Sequence, residues 1–122
     1  MKRRWSRLAA IGAALAVGAP AAGGDLEFFT GDMLYAACSA KPADADYAVR
    51  HLECTGYVLG VSDAQQAAQG AGAAGRVCLP ATATSAQLAQ SAERYLESHP
   101  DKRKLAAQDL VLDALSADFP CK

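Results

Sequence analysis

The chain has few of the residues that favour β-sheets. Valine, isoleucine and threonine together number 11 among 122 residues, whereas alanine alone numbers 29. Because β-branched side chains favour strands and alanine is the best helix former, this composition argues against a sandwich, a barrel or a Rossmann unit. Aromatic residues make up 7% of the chain and its formal net charge is −1, values that do not indicate nucleic-acid binding. The composition therefore predicts an all-α fold without a nucleic-acid partner.

The sequence also lacks the short motifs that mark common enzymes and metal sites. It has no Gly-x-Ser-x-Gly elbow, no His-Glu-x-x-His pair and no phosphate-binding loop. Its cysteines are separated by 16, 24 and 43 residues, whereas a zinc site would use closely spaced pairs. His51 and Cys54 share a helix face, but no third ligand is spaced to join them, so we interpret His51 as a solvated or core residue. We predict no enzyme activity, no metal and no cofactor.

No apolar run is long enough to span a membrane, which takes about 20 residues. Residues 8–17 (LAAIGAALAV) are apolar, four basic residues precede them, and small residues follow (GAPAAGG). This order is typical of a secretory signal peptide. We predict residues 1–22 as the signal, cleaved after Ala21 or one or two residues later, and residues 23–122 as one exported domain that is not attached to the membrane. The mature chain then has eight basic residues against 13 acidic ones, a net charge of −5.

Capping residues and helical periodicity predict two helices in the first half of this domain. The first covers about residues 29–40 and is capped by Thr30 or Asp32. The second begins at Asp44 or Asp46 and ends near residue 67. Its inward-facing residues recur at helical spacing and are Leu52, Val58, Leu59 and Val61.

Two more helices are predicted after a flexible, glycine-rich connection at residues 69–75. The third begins after Thr84, which forms a capping box with Gln87, and ends at His99-Pro100. The fourth is capped by Asp101 and runs to about residue 118, with an inward face of Leu105, Leu112, Leu115 and Phe119. Four short helices predict a small four-helix bundle, either orthogonal or up-and-down.

The even number of cysteines in a small exported domain indicates two structural disulfides. Three pairings are possible. If the third and fourth helices are antiparallel, Cys78 before the third helix lies beside Cys121 after the fourth. Cys38 at the end of the first helix then pairs with Cys54 on the second.

Two other patterns have structural interpretations. Gly56 and Gly60 form a GxxxG stretch, which we interpret as permitting close packing by a neighbouring helix. The basic run Lys102-Arg103-Lys104 is interpreted as a solvated face, with contact to an anion or a partner as the alternative.

The cysteines and their neighbours resemble the Rap/Tai-type immunity proteins of type VI secretion systems over about residues 30–121. The resemblance rests on an ordered set of motifs: Cys54-x-x-Tyr57-x-x-Gly60-x-x-Asp63, Cys78-x-Pro80, Tyr95-Leu96 followed by Pro100, and Phe119-Pro120-Cys121. It implies an all-helical, periplasmic, disulfide-bonded protein that binds and blocks a peptidoglycan amidase effector, commonly as a homodimer. Within the motifs, Tyr57, Gly60 and Asp63 look like packing and helix-register residues.

An immunity protein without catalytic groups would act by occlusion, because it cannot modify a toxin chemically. The segment of residues 97–101 is short and contains Pro100, and its candidate partner-binding residues are Glu97, His99 and Asp101. The glycine-rich connection, a helix face and a surface made by a dimer are the alternatives. Another function class is a periplasmic acid-stress chaperone, although two disulfides would resist the acid unfolding that such proteins need. A peptidoglycan-modifying enzyme is disfavoured by the lack of a catalytic constellation.

Overall fold

Four α-helices and one short 3₁₀ turn make up the regular structure of residues 28–122, the part of the chain that the computed structural model describes. The predicted signal peptide lies outside the described residues. No strand occurs in residues 28–122, and isolated bridges join Thr30 to Ala106 and Val77 to Pro120. The prediction of an all-α, four-helix fold is confirmed. The elements are α1 (Gly31–Cys38), α2 (Tyr47–Gly70), α3 (Ser85–Ser98), the 3₁₀ turn (Pro100–Lys102) and α4 (Ala107–Asp118).

Local capping explains where α1 and α3 begin. The Thr30 hydroxyl accepts a hydrogen bond from the Met33 amide, 3.4 Å away, which satisfies one of the free amides of the first turn of α1. At α3 both bonds of the predicted capping box form: the Gln87 amide donates to Thr84 Oγ1 at 3.3 Å, and the Thr84 amide donates to Gln87 Oε1 at 2.9 Å. These two starts follow from neighbouring residues alone.

The core lies where the four helices meet. Its two buried polar side chains are serines, and both are hydrogen-bonded: Ser62 Oγ donates to the Val58 carbonyl at 2.7 Å, and Ser91 Oγ donates to Asp118 Oδ2 at 2.6 Å. Burial therefore costs these hydroxyls little. The largest fully buried side chains are Leu34, Val58, Leu96, Leu110, Val111 and Leu115.

Both predicted disulfides are present, which confirms the pairing. Cys38 at the end of α1 is bonded to Cys54 on α2, and Cys78 before α3 is bonded to Cys121 after α4. Beside the second disulfide, the Cys78 amide donates to the Phe119 carbonyl at 2.9 Å. The two segments that flank the α3–α4 pair are therefore tied together by covalent and backbone hydrogen bonds.

The fourth helix begins later than predicted. Asp101 lies in the 3₁₀ turn, α4 starts at Ala107, and Leu105 is 55% exposed, so the predicted cap and the inward position of Leu105 are wrong. The backbone before α4 pairs with the start of α1 instead of forming a helix: the Gly31 amide donates to the Leu105 carbonyl at 2.9 Å, and the Ala107 amide donates to the Phe29 carbonyl at 2.8 Å. Long-range pairing overrides the local helical pattern here.

The second helix turns the predicted face to the core except at Leu52: Val58 is buried, and Leu59 and Val61 pack against the core. Leu52 is 70% exposed, and the buried residues of α2 are Cys54, Val58 and Ser62. The disulfide to α1 fixes Cys54 on the inner side, which rotates Leu52 outward. The helix also continues past residue 67 to Gly70, where the Gln69 side chain donates to the Val77 carbonyl at 3.0 Å, so the glycine-rich connection is shorter than predicted.

Within residues 28–122, none of the helices combines the length and apolar character that crossing a membrane requires.

Candidate functional site

The corner segment, residues 97–101, joins the end of α3 to the 3₁₀ turn. It brings together the three predicted partner-binding side chains: Glu97 and Asp101 are exposed, and His99 is half-buried. The corner segment does not lie beside the Cys78–Cys121 disulfide. That disulfide lies beyond the other end of the α3–α4 pair, separated by the length of α3, which at 14 residues is about 21 Å.

His99 is held against α3 by two contacts with Tyr95. The two rings stack with their centroids 4.0 Å apart, and His99 Nδ1 lies 2.8 Å from the Tyr95 carbonyl oxygen. Nδ1 also lies 3.0 Å from Ser98 Oγ. In the tautomer that carries the proton on Nδ1, this nitrogen donates to the Tyr95 carbonyl, since a carbonyl only accepts hydrogen bonds. This contact leaves Nε2 as the ring nitrogen available to a partner.

Arg103, which follows the 3₁₀ turn, caps the C-terminal end of α3. Its Nε donates to the Leu96 carbonyl at 2.7 Å, and its guanidinium lies 3.6 Å from the centre of the Tyr35 ring on α1. A positive charge on the free carbonyls at a helix C-terminus is stabilising, and so is a cation over an aromatic face. The interpretation of residues 102–104 as a solvated face is wrong for Arg103; a basic residue shortly after a helix end is the signal that could have indicated this role.

Lys102 and Tyr95 link the corner segment to α4. Lys102 Nζ donates to the Tyr95 hydroxyl at 3.2 Å, and this hydrogen bond raises the pKa of Lys102. The Tyr95 hydroxyl donates in turn to Asp113 Oδ2 at 3.4 Å, and Asp113 Oδ1 accepts from Arg76 at 2.8 Å. Because Tyr95 also stacks on His99, these hydrogen bonds connect the corner segment to α4 and to Arg76, which lies just before Cys78.

A second surface feature is the α2–α4 groove, an open apolar depression of ≈460 Å³ between these two helices. Gly56 and Gly60 face open space: a Cβ atom added at either position would meet no atom within 4 Å. The interpretation of the GxxxG stretch as close packing by a neighbouring helix is therefore not met within residues 28–122. The groove is lined by Gly56, Tyr57, Gly60, Val61, Ala64, Gln65, Ala68, Gln108 and Leu112.

Tyr57 packs at one end of this groove, as predicted. Its ring centre lies 4.8 Å from that of Phe29. Burial raises the pKa of the Tyr57 hydroxyl, a hydrogen bond with the Gln108 backbone acts against that rise, and the nearby negative charge of Asp109 adds to it. The other two residues interpreted as packing residues are not packed: Gly60 lines the groove and Asp63 is exposed.

Within residues 28–122 no group of three or more histidine, cysteine, aspartate or glutamate side chains is placed to hold a metal ion. His51 is exposed and stacks on Tyr47 with ring centres 5.4 Å apart. The cysteines at 38, 54, 78 and 121 are all consumed in disulfides. Two surface features of the described residues are candidates for contact with a partner: the corner segment with its carboxylates, and the α2–α4 groove.

Comparison with known proteins links the whole helical fold to one family. The family model described as Rap1a immunity proteins matches residues 30–121, which include all four helices and both disulfides. Neither the comparison with curated proteins nor the comparison with solved structures found a significant match.

Proposed function

This chain belongs to the Rap1a immunity protein family, and we propose that it acts in the periplasm by binding and occluding a peptidoglycan amidase effector of a type VI secretion system. The family membership supports a role in immunity through a cognate effector. The amidase, the compartment and the mode of inhibition are the parts that we add. A homodimer is a further part of the proposal, and it rests on the resemblance alone.

The observation that carries the occlusion proposal is the fixed conformation of the corner segment. The segment is braced by the Arg103 contact with the Leu96 carbonyl, by the stacking of His99 on Tyr95, and by the bond of 2.7 Å from the Asp32 amide to the Arg103 carbonyl. A loop that is already ordered loses little conformational entropy when it binds, so more of its contact energy is available as affinity.

The chemistry of the corner segment fits a basic or catalytic surface. Glu97 and Asp101 are exposed carboxylates, so both can accept hydrogen bonds from lysine or arginine around an enzyme groove. His99 adds Nε2, which could reach a Cys–His pair within such a groove. We propose that Glu97, His99 and Asp101 are the residues that contact the effector.

Removing the two carboxylates should test the corner segment directly. We expect a Glu97→Ala/Asp101→Ala variant to bind the effector at least tenfold more weakly. Truncating one partner of a charge pair that is buried in an interface costs about 2 kcal/mol or more of binding free energy. Both side chains are exposed, so the fold should be unaffected. The measurement is calorimetric titration with the effector, which is sought in the neighbouring open reading frame because immunity genes normally lie beside those of their toxins.

A control for net charge is Asp63→Ala/Glu93→Ala, which removes two carboxylates elsewhere and should keep the affinity within about threefold. Adding His99→Ala to the first variant should weaken binding further. If the triple variant stays folded and binds as tightly as the wild type, the corner segment is not the inhibitory contact.

Export and oxidation make a separate prediction. Protein recovered from the periplasm should lack the predicted signal peptide, and its intact mass should rise by four hydrogens on reduction, because the four cysteines form two disulfides. Mass spectrometry before and after reduction measures both. A mass that still includes residues 1–19, or alkylation of a cysteine without prior reduction, would contradict the prediction.

A further inference from the structure

The shape of the α2–α4 groove matches the ridge of another helix. Along the wall that α2 provides, every fourth residue is small, so α2 has no ridge of side chains there. These small residues are Gly56, Gly60, Ala64 and Ala68. Helices pack by placing the ridge of residues four apart on one helix into such a gap on another. Because no atom lies within 4 Å of the Cβ positions of Gly56 and Gly60, the gap is open to a partner.

Large apolar side chains lie beside the Gly56–Tyr57 end of the groove. Leu52 and Val49 precede Gly56 on the same face of α2 and are 70% and 71% exposed. Phe28 is 70% exposed and lines a cavity that shares Tyr57 and Gln108 with the groove. Exposed apolar side chains that cluster around an apolar groove are typical of a protein–protein contact.

No charged side chain of residues 28–122 lines the groove itself, and two acidic side chains lie beside its Gly56–Tyr57 end. Glu53 lies one turn from Gly56, and Asp109 lies close enough to Tyr57 to raise the pKa of that hydroxyl. No lysine or arginine lines the groove or the cavity beside Phe28. Two other occupants of the groove are a second copy of this chain and the chain's own residues just before Phe28. A second copy would bring the same carboxylates face to face, and the residues just before Phe28 include the acidic Asp25 and Glu27. Charge complementarity therefore favours a basic partner over both.

We propose that the α2–α4 groove is a docking site for an amphipathic helix of a partner protein, with lysine or arginine residues on either side of its aliphatic face. This contact mode is the insertion of a helix into an apolar groove, in which aliphatic side chains anchor and the flanking charges orient the helix. The inference goes beyond the proposed function, because it holds whether or not the corner segment blocks an amidase.

A leucine at Gly60 would fill the groove without disturbing the fold. The Cβ position is free of contacts, and glycine within a helix costs about 1 kcal/mol relative to a good helix former, so Gly60→Leu should be at least as stable as the wild type. The matched control is Gly70→Leu, since Gly70 also faces open space on α2 but does not line the groove. Thermal melts of both variants exclude unfolding as a cause of lost binding.

The probes are two labelled synthetic helices of 18 residues with the same amphipathic pattern, one of leucine and lysine and one of leucine and glutamate. Fluorescence anisotropy with the mature chain should show binding of the leucine–lysine helix and none of the leucine–glutamate helix. Gly60→Leu should weaken the binding at least tenfold, and Gly70→Leu should change it less than twofold.

Four results would overturn the proposal. Equal binding of the leucine–lysine helix to Gly60→Leu and to the wild type would mean that charge alone attracts it. No binding of that helix, or equal binding of the leucine–glutamate helix, would refute the assigned partner chemistry. Self-association in sedimentation that Gly60→Leu abolishes would assign the groove to a second copy of the chain.

Discussion

Replacement of both Cys78 and Cys121 by alanine is expected to lower the free energy of unfolding by about 4 kcal/mol, the chain-entropy value for a closed loop of this length. The two cysteines are separated by 43 residues, which makes this the longer of the two disulfide loops. The loop contains α3 and α4. Without the disulfide, the two ends of this loop are no longer held together in the unfolded chain, which raises the entropy of the unfolded state.

The size of this effect is large for a domain of about 100 residues, whose whole stability is about 5–15 kcal/mol. At about 4–8 °C per kcal/mol, the melting temperature should fall by about 15–30 °C. Thermal and urea unfolding followed by far-UV circular dichroism measures the change. Reduction of the variant should then open the Cys38–Cys54 bridge and leave the protein unfolded or nearly so at 37 °C.

A variant that melts within a few degrees of the wild type would contradict this expectation. It would mean that the backbone pairing beside the disulfide, in which Val77 pairs with Pro120 and the Cys78 amide with the Phe119 carbonyl, holds these segments together on its own.

Gly31→Ala is the second change with a large expected effect, about 3 kcal/mol of destabilisation, at the upper end of the usual cost of overpacking. A Cβ atom at Gly31 would collide with Leu110 Cδ1 and would lie 2.8 Å from the Arg103 carbonyl oxygen and 2.9 Å from Arg103 Cα. The leucine could change rotamer, but the Arg103 backbone is fixed by the Asp32 amide and by its own side chain on the Leu96 carbonyl.

The same substitution elsewhere in the chain provides the control. Gly60→Ala should stabilise the protein by about 1 kcal/mol, because Gly60 is within α2 and faces open space. Urea titrations of the two variants should therefore give changes of opposite sign. A cost below about 1 kcal/mol for Gly31→Ala would approach that of a surface substitution. It would show that α1 and the 3₁₀ turn can move apart at little cost in free energy.

Gly31→Ala should also change the affinity for the effector if the corner segment is the inhibitory contact. Gly31 lies against the backbone of Arg103, so an added methyl group would displace the turn that supports the segment. Binding of the effector should weaken even where the variant is still folded.

The sequence by itself determined the fold class and two helix starts, and it predicted the disulfide pairing on one assumption about helix packing. The scarcity of β-branched residues and the abundance of alanine depend on no tertiary contact, and the Thr84–Gln87 capping box joins residues only three apart. The disulfide pairing followed once antiparallel packing of the last two helices was assumed, because this packing places Cys78 beside Cys121.

Only the tertiary structure decided that Leu52 on α2 and Leu105 before α4 are exposed. Periodicity groups Leu52 with Val58, Leu59 and Val61, but Cys54, two residues further on, faces inward at its disulfide, so Leu52 faces outward. It likewise decided that α4 begins at Ala107 and that Arg103 supports α3, since both depend on contacts with α1 or its flanking residues. Local sequence patterns fix which residues share a helix face, whereas burial depends on partners that are distant along the chain.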